Sequence, residues 1–408
     1  MSGKEKRPLV PRLRFPEFRE AAEWGKDKLE ELITTVSPPS KLQSSSYRPQ
    51  GKFPIIDQSQ ELICGWTDDE SAVIAESLPL IVFGDHTCVL KFVEKPFAQG
   101  ADGIKILKAK PAISAEYLFH SLSHRPLAME DYKRHFSILK ERAVVFPDIK
   151  SGEQQKIADC LSSLDDLITA ETQKLDTLKT HKKGLMQQLF PREGETVPSL
   201  RFPEFLEAGE WKIKSLGTVC TVLQGYGFPE TLQGRTEGQY PFCKVSDISR
   251  SVAENGGFLA KAANYVNAND LATLRAKLIP IGATVFAKIG EALRLNRRAF
   301  VQCECLIDNN AVGLKAVPGV ANDYFIYLLS QLINLNDHCG GAVPSVNKST
   351  LEAIEVVVPE VDEQEKIAAS MSYHDELIRN QEKKLGILKI HKAGLMQQLF
   401  PVLDEVGA

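Results

Sequence analysis

The chain runs to 408 residues, 43% hydrophobic and 25% charged, and its 49 Lys and Arg against 53 Asp and Glu leave a net charge of −4. That size and balance give room for two or three domains with proper cores and exclude a disordered chain. They also exclude a protein that coats nucleic acid over its whole surface, so any DNA contact has to be local, on loops poor in acids.

The opening MSGKEKRPLV is charged and lacks an apolar h-region, and nowhere is there the run of about 18 apolar residues that crosses a bilayer. A cytoplasmic protein with no membrane partner is expected. Next comes Val10-Pro11-Arg12-Leu13-Arg14-Phe15-Pro16-Glu17-Phe18, closing on Glu23-Trp24. From Leu32 to Ile56 the chain has no acid but holds Lys41, Tyr47, Arg48 and Lys52 among serines, residue types suited to an anion. Strand-like runs follow at Leu80-Ile81-Val82-Phe83, Cys88-Val89-Leu90-Lys91-Phe92-Val93 and Ile104-Lys105-Ile106-Leu107, divided by the turns Gly84-Asp85-His86-Thr87 and Gly100-Ala101-Asp102-Gly103. Helical spacing appears around Tyr117–Leu122.

From Glu153 to Phe190 there is no proline, and apolar residues fall at Ile157, Leu161, Leu164, Ile168, Leu175, Leu178, Leu185 and Leu189. Spacings of four and three are the seam of a coiled coil, here interrupted by Glu171 and Lys182. At 1.5 Å per residue this predicts roughly 57 Å of helix, stopped by Pro191.

The opening block then returns as Val197-Pro198-Ser199-Leu200-Arg201-Phe202-Pro203-Glu204-Phe205, closing on Glu210-Trp211, 187 positions later. A second insert follows, with Tyr226 between two glycines, Lys244, Ser246, the strand-like Ala283–Lys288, and Ile289-Gly290. Ala292–Cys303 is acid-free around Arg294, Asn296, Arg297 and Arg298, and helical spacing recurs over Tyr324–Leu335 before the turn Gly340-Gly341-Ala342-Val343-Pro344. The helix pattern returns from Glu363 to Pro401, at an offset of 210, with Ile367, Met371, His374, Ile378, Leu385, Leu388, Leu395 and Leu399 in the seam and Gln381 and Lys392 interrupting it. Both copies end in GLMQQLFP.

The chain is therefore frame, variable insert, frame, variable insert, with inserts 25–152 and 212–362 that differ by 23 residues and share almost no sequence. Constant parts point to architecture and variable parts to readout. A long helix with a narrow apolar stripe cannot bury it alone, and its natural partner is its own copy. Because 210 is a multiple of seven, the two stripes share one phase, and a pseudo-two-fold axis would pair the helices antiparallel. Each insert reads as a mixed α+β domain.

Chemistry is hard to find. Eight cysteines are scattered, only Cys303 and Cys305 lie close, and without a second pair or suitably spaced histidines no metal site is expected; buried free thiols are. Ser37-Pro38-Pro39-Ser40 lacks the aromatic ring with which the adenine-methyltransferase tetrad stacks a flipped base, and no glycine-rich cofactor strand accompanies it. No phosphate-loop motif occurs, and Pro147-Asp148-Ile149-Lys150 is too compressed for a metal-dependent nuclease. His181 and His391 occupy equivalent repeat positions and read as helix-surface groups. No catalytic residue is assigned.

The doubled frame, the helix starts Glu153-Gln154-Gln155-Lys156-Ile157 and Glu363-Gln364-Glu365-Lys366-Ile367, the repeated helix ends and the Gly340–Pro344 turn together resemble the specificity subunit of type I restriction-modification enzymes. So do Gly84–Thr87 in the first insert and Leu295-Asn296-Arg297-Arg298 with Ile307-Asp308-Asn309-Asn310 in the second. The resemblance implies an α+β fold in which two target-recognition domains form an internal pseudo-two-fold repeat, separated by two long antiparallel coiled-coil spacer helices. The implied division is a first recognition domain over 1–152, a central spacer helix over 153–191, a second recognition domain over 192–362 and a C-terminal spacer helix over 363–401.

It implies a non-catalytic subunit that binds double-stranded DNA, each recognition domain reading one half of an asymmetric bipartite site. The spacers would dock two methyltransferase subunits for adenine N6 methylation, and restriction (translocase and nuclease) subunits would join that core. S-adenosylmethionine, ATP and Mg belong to those partners, and no cofactor is expected in this chain. Candidate DNA-binding residues are Lys41, Tyr47, Arg48, His86 and Thr87 in the first insert. In the second they are Tyr226, Lys244, Ser246, Lys288, Arg294, Asn296 and Arg297. Two rivals belong to other classes: a scaffold or anti-restriction adaptor that binds the methyltransferase without reading DNA, and an enzyme of unfamiliar chemistry. Sequence-selective modification by the assembled complex separates the first reading from the scaffold.

Overall fold

The structure is a computed structural model, and it describes residues 9–101, 103–129, 134–340 and 343–402. The chain forms two compact units, one of residues 1–171 with 385–408 and one of residues 172–384. The central helix, Glu153–Leu189, and the C-terminal helix, Val361–Leu399, each give one half to each unit.

The first unit contains strands β1 (Gly25–Lys28), β2 (Ile33–Val36), β3 (Phe53–Ile56), β4 (Gly65–Thr67), β5 (Leu80–Gly84), β6 (Leu90–Val93), β7 (Ala98–Gln99), β8 (Ile104–Ala109) and β9 (Ala143–Phe146). They make a sheet in the order β2-β8-β5-β6, a second in the order β4-β3-β7, and the pair β1-β9. The second unit contains β10 (Lys212–Ser215), β11 (Cys220–Gln224), β12 (Tyr240–Cys243), β13 (Phe258–Leu259), β14 (Tyr265–Val266), β15 (Thr284–Ala287), β16 (Ala299–Val301), β17 (Leu306–Ile307), β18 (Ala311–Ala316) and β19 (Glu355–Val358). Its orders are β11-β18-β15-β16-β13, β14-β12-β17 and β10-β19.

The two inserts, so unlike in sequence, thus share one topology strand for strand. In both small sheets the middle strand pairs antiparallel on one side and parallel on the other. The second insert adds the helix Val245–Glu254 and β13 between β12 and β14, where the first runs directly from β3 to β4. The central strands β5, β15 and β18 are near-continuous buried runs, and many apolar sets satisfy such a run, which is how the fold persists while the letters change.

The repeated frame has a physical cause. Arg14 donates from Nε and Nη2 to the two carboxylate oxygens of Glu153, both at 2.7 Å, and Trp24 Nε1 donates to the same carboxylate at 3.3 Å. Arg201, Glu363 and Trp211 repeat this in the second unit. The neighbouring glutamine is spent too. Gln154 Oε1 accepts from Ser114 N while its Nε2 donates to Ala112 O and Pro147 O, and Gln364 does the same with Asn322, Val320 and Pro359. Lys156 lies 5.6 Å over Phe15 and 3.4 Å from Glu17, as Lys366 does with Phe202 and Glu204. Every letter of Arg-Phe-Pro-Glu except the proline therefore grips the start of a long helix.

The other helix end is gripped by the same unit. Leu399 and Phe400 enter the first core, where Phe400 lies 5.6 Å from Tyr117 and stacks on His124 at 5.3 Å. Leu189 and Phe190 do so in the second, with Phe325 at 5.3 Å and Trp211 at 5.9 Å. The frame segment caps them: Leu13 N donates to Gln398 O and Leu200 N to Gln188 O. GLMQQLFP is written twice because each unit needs one such plug.

All sixteen predicted seam positions are buried or half-buried. Pairing is antiparallel within each unit. In the second, Lys182 meets Asp375 at 2.6 Å and Lys179 meets Glu382 at 2.7 Å, one number falling as the other rises. In the first, Ile157 and Leu161 share a core with Met396 and Leu399, while Asp165 pairs with Lys392 at 2.5 Å. The seam lysines, predicted as polar interruptions, thus find acids on the opposite helix. His181 is exposed, with its ring 5.2 Å from that of half-buried His374, and His391 is exposed.

Buried His120 gives a pH prediction. Ser162 donates its hydroxyl hydrogen to Glu116, so it accepts from His120 Nε2 at 3.0 Å and leaves Nδ1 without a proton. Burial first, then the charge of Lys392, pushes His120 down to about 4. The unfolded chain binds this proton near pH 6.5 and the folded chain does not until about 4, so stability is full above 6.5 and falls as the pH drops towards 4. The loss is at most about 3 kcal/mol. Melting curves of wild type and His120→Gln between pH 4 and 7 should converge at the acid end and diverge at the neutral end.

Some expectations need correction. The strand expected from Cys88 begins at Leu90, because Cys88 sits at φ 56 in a turn that returns its N–H to Gly84 O. The helix expected over Tyr324–Leu335 ends at Leu332, and a 3-10 turn spans Leu335–His338. Of the eight free thiols three are buried and five half-buried. The acid-free stretch from Leu32 to Ile56 does not stay acid-free in space: strand pairing brings Asp68 to Arg48 at 2.7 Å and Glu70 to Lys52. Asp102 and the Gly341-Ala342 portion of the predicted turn lie outside the described residues.

Candidate nucleic-acid interface

In the second unit four strands end at one place. Tyr226 follows β11 and bridges in parallel to Asp308, which follows β17. A Cβ on Gly225 would stand 1.8 Å from Asp308 O, so only glycine lets these backbones touch. Lys244 follows β12, with Nζ 2.8 Å from Gln233 Oε1 and 5.1 Å over the Phe228 ring. Lys288 follows β15; its N–H donates to Asn310 O at 2.8 Å and its Nζ to Gln224 Oε1 at 3.1 Å. The Tyr226 hydroxyl accepts from Lys277 N at 2.9 Å, and Ser246 lies exposed in the first turn of Val245–Glu254. Tyr226, Lys244, Ser246 and Lys288 are thus brought to one cluster of strand ends.

The first unit has the same cluster with other residues. Asp85 N donates to Gly103 O at 2.7 Å and Gly100 N to Ile56 O at 2.9 Å, matching Lys288 with Asn310, and Asp308 N with Cys243 O. Asp85 therefore stands where the second unit has Lys288, Asp57 where it has Lys244, and Gly100 where it has Asp308. Here the strand ends border a polar cleft of about 770 Å³. Lys41, His86, Lys105 and Arg134 line it, with buried Asp85. One oxygen of the Asp85 carboxylate accepts from Phe136 N at 2.8 Å, and the cations Lys41, Lys105 and Arg134 outnumber it along the cleft.

Other candidates fold elsewhere or are occupied. Tyr47 is half-buried, its hydroxyl accepting from Ala101 N at 2.9 Å, and burial raises its pKa. Arg48 is held by Asp68, and the Thr87 hydroxyl donates to Gln58 O at 2.8 Å. On the loop after β15, Asn296 sits at φ 51 and uses its whole amide internally: Nδ2 to Ile333 O, and Oδ1 from Leu335 N and Arg298 Nη2. Arg298 itself is buried over the Phe286 ring at 4.5 Å, and desolvation lowers it to about 10. Arg294 is exposed, 3.7 Å from Glu291, and Arg297 is half-buried.

Lys105, Arg134 and Gln224 were not among the candidate residues, and Asp308 figured only within the Ile307–Asn310 motif. Lys105 lay inside a strand and Gln224 at the end of one, where the pattern speaks of burial and says nothing of which tip faces a cleft. Among the described residues no group of three His, Cys, Asp or Glu could hold a metal ion, and no helix is long and apolar enough to cross a membrane.

Residues 208–388 match the family model described as the type I restriction modification DNA specificity domain. The type I restriction enzyme EcoR124I/EcoR124II specificity subunit of Escherichia coli is 20% identical over 368 residues, 85% of each chain. The type I restriction enzyme MjaIX specificity subunit of Methanocaldococcus jannaschii is 23% identical over 316 residues, 73% of this chain and 71% of that one. Another specificity-subunit relative from that organism is 26% identical over 268 residues, and the match spans 59% of its length. Among solved structures, the S subunit of a type I restriction-modification system from M. genitalium covers 97% of this chain and 100% of its own at a TM-score of 0.67 and 16% identity. A chain from a study of type I complex assembly covers 93% and 97% at a TM-score of 0.52 and 14% identity. At those identities the likeness establishes the fold.

Proposed function

We propose that this chain, which belongs with the specificity subunits of type I restriction-modification systems, is the DNA-recognition subunit of such a complex. Each insert reads one half of an asymmetric bipartite site. One observation carries the reading: a single topology occurs twice, and at matching strand ends it presents different polar residues. Matching scaffolds with unlike tips are what two unlike half-sites require. Side chains of the strand ends and the loop bearing Arg294 and Arg297 would divide between base edges and phosphates, cations such as Lys105 and Arg134 positioning the duplex. The paired helices fix the distance between readers and dock two methyltransferase subunits, with restriction subunits joining that core. Adenine N6 methylation, S-adenosylmethionine, ATP and Mg are assigned to those partners.

Mapping modified adenines in a host carrying this chain with its methyltransferase partner tests the proposal. The expected result is one two-part sequence with unlike halves and a fixed gap. Modification without such a motif, or within two identical halves, contradicts it. Alanine at a base-reading Arg294 or Arg297 should cost about 1–3 kcal/mol and relax one position, whereas Lys105→Ala should weaken all sequences alike and flatten the salt dependence.

A further inference from the structure

We infer that Asp308 is the acceptor through which the second unit reads an exocyclic amino group of a base, cytosine N4 or adenine N6, in the major groove. The inference rests on the reading of the second insert as a DNA reader. Asp308 is 8% exposed, within the strand-end cluster. Oδ1 accepts from Asn310 N at 3.1 Å, and Asp308 is fixed from behind by Cys243 O and by Tyr226. Burial raises its pKa, opposed by Asn310 and by the charge of Lys244. Asn310 N–H takes one carboxylate oxygen, which leaves the other for a bound donor.

The fold does not need an acid there. The first unit builds the same strand end with Gly100, and the space a side chain would take is filled by the Tyr47 hydroxyl, 2.2 Å from where a Cβ would stand. The acid is thus a property of the reader and not of the scaffold. An ionised carboxylate only accepts hydrogen bonds, and in the major groove the donors bases offer are cytosine N4 and adenine N6. Lys244 and Lys288 flank it and suit the phosphates of the strand so presented.

The test uses the full chain co-expressed with its methyltransferase partner, with modified adenines mapped in the host genome and binding measured on duplexes varied one base pair at a time. Asp308→Asn keeps an acceptor for Asn310 N and removes a charge that burial disfavours, so the melting temperature should not fall. It should reduce discrimination at one base pair of the second half-site by roughly 10- to 100-fold, with the other positions unaltered. The base lost identifies the amino group as that of cytosine or adenine. Asp308→Ala should relax the same position. Unchanged discrimination at every position in Asp308→Asn, or a uniform weakening of all sequences, overturns the inference. Failure of the wider reading looks different: the wild-type complex would then show no preference traceable to a second half-site.

Discussion

Replacing Glu153 with alanine should cost the first unit about 3–5 kcal/mol, the range for removing one partner of a buried ion pair. The carboxylate is 1% exposed and the Arg14 side chain 6%, so water cannot take over either role. Alanine strands a guanidinium that now gives two bonds to Glu153 and orphans the Trp24 N–H. It also loosens the start of the central helix from the frame segment. Glu363→Ala should do the same in the second unit, where Arg201 and Trp211 hold that position. The double variant Arg14→Met with Glu153→Leu should recover most of the loss, because the penalty comes from the uncompensated charge. Urea unfolding followed by circular dichroism measures it; a loss below about 1 kcal/mol for the single variant would place the pair in the class of surface bridges.

Asp375→Ala should be nearly as damaging, and its twin Asp165→Ala should not. Asp375 is 8% exposed and binds both Lys182 and the Tyr324 hydroxyl, whereas Asp165 is 41% exposed. Exposed pairs are typically worth about 0–1 kcal/mol, so the same letter at equivalent repeat positions predicts different costs. Exchanging the pair, Lys182→Asp with Asp375→Lys, should restore part of the stability the single changes remove, a coupling that a double-mutant cycle reads directly. Additive single effects would mean that the seam lysine takes no part in fixing the register.

Much of the frame was legible in the sequence because it is written twice. Helix period, phase and ends followed from the spacing of Ile157 to Leu189 and its copy. The reason for the repeated Arg-Phe-Pro-Glu was not legible, since Arg14 meets Glu153 across 139 positions and no local pattern announces a long-range ion pair. The shared topology of the inserts was equally hidden: strand order depends on which apolar residues face inward, and those are interchangeable. At the interface, residue type alone favoured Asn296, Tyr47 and Thr87, whose polar atoms prove to be engaged within the fold. Asp308 was visible only as a letter of the Ile307–Asn310 motif, and its place beside Tyr226 exists only when β12 and β17 lie side by side.

The most direct test of the account is to lengthen both long helices by one heptad, inserted in phase at equivalent points, and to map the modified sites again. Seven residues add about 10 Å, close to three base pairs, while leaving the seam in register. Unchanged half-sites separated by a gap about three base pairs longer are expected. A lengthened protein that still modified sites with the original gap would contradict the assignment of the paired helices as the element that sets it.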